Sequence, residues 1–175
     1  MSPESYQLFK IIHASEGMKY FNRQKVRLFT VNIFKRNLAE LQKACGYIEN
    51  PEIGLKLMSE ALQGPSVQVH MEVNRYFHNF LASAKSLIDH TRVFVEDYYK
   101  NTAIEQAYKQ KISSELASDP ISRFIQDLRN YMVHKALPNS SMSLTVSRIE
   151  NSSAHDLVTT VSISRDDLLR WSKCI

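Results

Sequence analysis

The stretch from 67 to 99 contains neither Gly nor Pro, and its apolar residues recur at helical spacing. Val73, Tyr76, Phe77, Phe80, Ala84, Leu87, Ile88, Phe94, Val95 and Tyr98 share one broad face at 100° per residue, with Asn79, Ser83, Ser86, His90 and Asp97 opposite. The pattern predicts one long helix. Upstream, Val31, Phe34, Leu38, Leu41 and Cys45 repeat in the same way and predict a helix from about Met18 to Ala44, ended by Gly46 and the turn at Asn50-Pro51. A short helix is expected over 52–62, stopping at Gln63-Gly64-Pro65. Ile104, Tyr108 and Ile112 give a weaker helix over 102–117. Asp119 as N-cap and Pro120 at the first helical position then open another, running to about Ala136 before Pro138.

Beyond Pro138 the period changes from helical to two. "SMSLTVSRIE" (141–150) and "LVTTVSIS" (157–164) are rich in Val, Thr, Ser and Ile and flank a polar connection, the signature of an antiparallel hairpin. Ser164 followed by Asp167 resembles a capping box, so a helix over 165–175 is expected to be short, as in a truncation of a longer chain. The expected fold class is mainly α: a helical bundle with a C-terminal antiparallel β-hairpin. It forms a single domain over 1–175, with a basic helical part (1–65), a helical core (67–138), the hairpin (139–164) and the short final helix (165–175).

Composition narrows the class. The 175 residues are 43% hydrophobic and 23% charged with only 4 Gly and 5 Pro, which suits a globular chain and not a disordered one. No window is apolar enough for a membrane span and the start carries no signal-peptide pattern, so no membrane partner and a cytoplasmic location are expected. Cys45 and Cys174 lie far apart without metal-ligand spacing and read as free thiols of a reducing cytosol. The net charge of +4 is concentrated: residues 1–50 hold 8 Lys/Arg against 4 Asp/Glu, and the remainder holds 14 of each. A basic segment with interleaved aromatics, "KYFNRQKVRLF", suits a polyanion; a solvated helix face is its plainer reading.

Chemistry concentrates in "DLRNYMVHKALP" (127–138). On a helical wheel Ile121, Phe124, Ile125, Leu128, Met132 and Ala136 form the core stripe. Arg123, Asp127, Asn130 and His134 lie opposite, and Arg129 sits at the stripe's edge, about 140° from His134. His134 is therefore not a core histidine. It is either an inert surface residue or part of a functional set.

The segment resembles the HEPN superfamily, small helical domains of prokaryotic defence ribonucleases and toxins whose signature is an Arg, commonly a polar residue next, then a His after four to six intervening residues. "RNYMVH" matches with Arg129, Asn130 and His134, and "NRYFHNFLASAKSLIDHTR" (74–92) is similar to the first long helix of several such families. The likeness spans about 67–138. It departs in one place: members paired with a nucleotidyltransferase carry a Tyr two residues after the His, where this chain has Ala136, so that pairing is not expected.

The resemblance implies a metal-independent endoribonuclease that leaves 2′,3′-cyclic phosphate ends, in a defence or toxin role, with no cofactor and no metal. His134 would transfer the proton, Arg129 would neutralise the phosphoryl oxygens, and Asn130 would orient the imidazole or bind phosphate. Arg123 and Lys135 are candidate RNA contacts. A homodimer is implied, which would bring two motifs to one cleft. Asn79, Ser86 and His90, with Ser83, are candidates for lining it, and His78, Asp89 and Arg92 are weaker ones. An antitoxin or regulatory protein is a further expected partner. The alternative is a HEPN-like module that holds RNA, nucleotide or protein without cutting.

Overall fold

The computed structural model describes residues 2–59, 64–138, 140–148 and 155–163. It is mainly α-helical with a two-stranded antiparallel hairpin, as the pattern predicts. The elements are α1 (Pro3–Ala14), α2 (Glu16–Glu49), α3 (Pro51–Ser59), α4 (Gly64–Tyr98), α5 (Ala103–Lys111), a π-helical turn (Ile112–Leu116), α6 (Pro120–His134), β1 (Ser140–Arg148) and β2 (His155–Ile163). The expected final helix from Ser164, Cys174 and most of the connection between the strands lie outside the described residues.

The α1 helix is not among the elements expected from the sequence. Local chemistry explains it: Ser2 caps it by accepting the Ser5 N–H at 3.1 Å, and Pro3 opens it. None of its residues is buried, and its Leu8, Ile11 and Ile12 stay exposed. Ser15 ends α1 and caps α2, accepting the Met18 N–H at 3.2 Å.

Helices α2 and α4 span 34 and 35 residues, each about 50 Å long. They run antiparallel. Arg23 stacks on Tyr98, Thr30 meets His90, Phe34 packs on Phe80, and Ile48 clusters with Val73 near the other end. The apolar interior is divided in two. Ile48, Leu57 and Val73 join α2, α3 and α4, with Met142 and Val161 of the hairpin packed on them. Leu81, Leu128 and Met132 join α4 to α6, with Ile163 against them.

The hairpin pairs Ser140 with Ile163 through Arg148 with His155. Its inner face turns Met142, Leu144, Thr159 and Val161 toward the helices, and its outer face pairs Ser143 with Thr160, hydroxyl to hydroxyl at 2.7 Å. Thr159 is 1% exposed and donates its hydroxyl to the Ile48 carbonyl at 2.7 Å, which satisfies the end of α2. Asn74 donates to the Ser140 hydroxyl at 3.3 Å and His70 lies 3.2 Å from it.

Gly54 on α3 is where the hairpin comes closest, because a Cβ there would overlap the Thr159 side chain. Gly46, inside α2, faces open space. Gly54→Ala is expected to destabilise the protein by about 1–3 kcal/mol through overpacking. Gly46→Ala should stabilise it by about 0.5–1 kcal/mol through helix propensity. Urea unfolding midpoints read both. Shifts of the same sign would contradict the docking of β2 on α3.

Candidate active site on helix α6

The α6 helix starts where sequence reasoning expects. Asp119 accepts both the backbone N–H and the hydroxyl of Ser122 at 2.7 Å, and Pro120 follows. The Ser122 hydroxyl, then its backbone N–H, hold the Asp119 carboxyl below the usual range. The cap's contribution is therefore present above the ordinary carboxylate pKa and fades as pH falls through the lowered value. The helix ends at His134, two residues short of the expected Ala136; Lys135 is its C-cap, its N–H bonded to the Tyr131 carbonyl at 2.8 Å.

Two of the six expected core positions are fully buried: Leu128 and Met132, against Leu81 of α4. Ile125 is partly buried, while Ile121 and Phe124 stay 68% and 44% exposed. The reason is that α6 rests on a single flank of α4, so only the centre of its stripe finds a partner.

Arg129 is half-buried and lines a groove of about 470 Å³ between α4, the π-helical turn and α6. Its Nη1 donates to the Asn130 side-chain oxygen at 3.0 Å. Its Nε is buried with no hydrogen-bond partner among the described residues. Lys85 of α4 lines the same groove, paired with Asp89 at 2.7 Å. Periodicity does not single out Lys85, because it sits on the flank between the two wheel faces. Arg123 also borders the groove, and its Nε is tied to the Ala117 carbonyl at 2.9 Å. His134 is exposed at the C-terminal end of α6 and has no hydrogen-bond partner among the described residues. Arg129 and Asn130 are thus brought together, and His134, one turn beyond Asn130 on the same side of α6, stands apart from Arg129, as the 140° separation requires.

The polar face expected on α4 needs correction. Ser83 is 6% exposed and His90 turns to α2, its Nδ1 3.1 Å from the hydroxyl of buried Thr30. Small residues on this face let α2 approach closely, so much of it is helix–helix seam. Ser86 is exposed and donates to the Ala82 carbonyl at 2.9 Å; Asn79 is half-buried, and neither lines the groove of Arg129. Conversely Ile88, expected in the core, is 53% exposed at the rim of that groove. Cys45 is a half-buried free thiol whose pKa is pushed up by burial and then by Glu49. Among the described residues no group of three or more His, Cys, Asp and Glu is placed to hold a metal ion, and no helix is long and apolar enough to cross a membrane.

A guanidinium with a buried, unbonded Nε is not where stability is maximised. Arg129→Met keeps the length and apolar stem, so its melting temperature is expected to equal or exceed the parent's. A fall of more than about 4 °C, worth over 1 kcal/mol in a chain this size, would mean that the guanidinium is structural.

Comparison with protein-family models, with curated proteins and with solved structures finds no match to this chain. The resemblance to the HEPN superfamily therefore stands on the residues quoted for it alone.

Proposed function

We propose that the chain is a metal-independent endoribonuclease of HEPN type whose cleft forms between two copies. The supporting observation is the arrangement on α6. Arg129 is held by Asn130 with its buried Nε unspent, His134 stands free about 140° away, and exposed apolar residues flank the motif. Phe124, Val133 and Leu137 are 44%, 44% and 52% exposed around the motif. Exposed apolar residues grouped beside polar functional groups mark an interaction surface. A two-fold pairing there covers them and brings one copy's Arg129 toward the other's His134.

The chemistry balances without a cofactor. One His134 removes the proton of the RNA 2′-hydroxyl. The 2′-oxygen forms a bond to phosphorus, the bond from phosphorus to O5′ breaks, and O5′ takes a proton from water, whose hydroxide the now protonated His134 of the same site neutralises. Arg129 offsets the charge on the non-bridging oxygens with its planar fork. Arg123 and Lys135, both exposed, extend the phosphate contacts along and beyond α6. A defence or toxin role, with an antitoxin or regulator holding the enzyme in check, follows from the family likeness. The separation of Arg129 from His134 within one chain favours a second reading, a module that binds RNA without cutting.

Purified protein incubated with mixed RNA in EDTA is expected to yield 2′,3′-cyclic phosphate ends. His134→Ala should lower the rate by about 10²- to 10⁴-fold with an unchanged circular dichroism spectrum. RNA bound but never cut would favour the binding module. Undiminished cleavage by His134→Ala would remove His134 from the mechanism.

A further inference from the structure

Away from α6, the seam between α2 and the C-terminal half of α4 opens into two adjoining pockets of about 270 Å³ and about 390 Å³ that share Val26, Phe94 and Tyr98. The guanidinium of Arg23 lies over the Tyr98 ring, 4.5 Å from its centroid, and that of Arg27 over Phe94 at 5.3 Å. The spacing is matched. Arg23 and Arg27 are one turn apart on α2, Tyr98 and Phe94 one turn apart on the antiparallel α4, so two stacks stand about 6 Å apart along the groove. Among the described residues neither guanidinium has a carboxylate within ion-pair distance. Lys19, which also lines the groove, is paired with Glu16 at 2.7 Å.

We propose that this groove holds a stretch of single-stranded RNA, with phosphates on the edges of Arg23 and Arg27 and bases stacked on their outer planes. The ligand class rests on the proposal that RNA is the substrate; the site itself rests on the α2–α4 geometry. A guanidinium held over a ring is pre-organised, and the side turned away from the ring and its N–H edges remain usable. Every base has a π-face, so such stacks accept a strand without regard to sequence, while the row of cations follows its backbone. An acidic peptide would use the edges and leave the planes idle. It would also meet the carboxylate of Asp97 on the groove wall, which can instead accept a base N–H. The position on α4, beyond Leu81 and Lys85 toward its C-terminus, lets the groove hold RNA outside the cleavage site.

The test compares Arg23→Gln/Arg27→Gln with the parent in two assays. In a His134→Ala background, anisotropy of a labelled oligouridylate about 12 nucleotides long should show affinity reduced about tenfold or more. The slope of log affinity against log salt should shrink by about 1.4, two phosphate contacts at 0.7 each. Tyr98→Ala, which removes the support under Arg23, should weaken binding with the salt slope kept. With His134 intact, cleavage should show a raised KM and a little-changed kcat. Unchanged affinity and slope in the double variant would overturn the groove even if the protein cleaves RNA. So would a parent that binds no RNA, or one that binds uridine monophosphate or polyglutamate as tightly as the oligonucleotide. Affinity lost in the double variant of a protein that never cleaves would leave the groove standing and remove the nuclease proposal alone.

Discussion

The antiparallel seam between α2 and α4 is the constraint on which the remaining structure depends. Thr30 against His90 and Phe34 against Phe80 fix its register, and Ile48 with Val73 close it at one end. Once α4 has given one flank to α2, only its other flank is open to α6, through Leu81, Leu128 and Met132. The hairpin takes the end where α2, α3 and α4 meet, anchored by the Thr159–Ile48 hydrogen bond. The interior is divided into two clusters linked through α4, the strand pair and, by Phe34 against Phe80, α2. Helix α6 is therefore positioned by two buried side chains and a capped N-terminus, with much of its apolar surface left uncovered.

That uncovered surface links packing to chemistry. Helices that bury a full stripe have no reason to expose Ile121, Phe124, Val133 and Leu137 beside a guanidinium with an unmet donor. A second copy would bury the former and let substrate phosphate meet the latter. Covering a site's surroundings excludes water and strengthens the charge interactions within it. Stability and chemistry would then draw on the same contact.

Much of the fold was legible because long periodic helices and an alternating hairpin carry strong local signals. Pro51 and Pro120 each open an element, whereas Gly46, expected to end α2, lies inside a helix that runs on to Glu49. The failures have a physical pattern. The α1 helix carries its signal in the Ser2 cap, Pro3 and the spacing of Leu8, Ile11 and Ile12, not in any packing. Ser83 belongs to the seam and not to an outer face, because a wheel with one core side cannot describe a helix packed on two flanks, while exposed His90 reaches Thr30 from the seam's edge. For the same reason Ile88 was placed in the core and Lys85 was passed over. The Arg129–His134 separation could be read from helix geometry, whereas the unmet Nε and the paired stacks of Arg23 and Arg27 needed the tertiary arrangement.

In the proposed dimer Arg129 of one copy would work with His134 of the other, and subunit exchange reads out that sharing. Arg129→Ala and His134→Ala proteins, each inactive alone, are mixed in equal amounts and allowed to exchange, with mass spectrometry confirming the mixed dimers. Half of the dimers are then mixed, and each rebuilds one of its two sites, so about a quarter of the parent's cleavage rate should return. Mixed dimers that form and remain inactive would contradict the shared site.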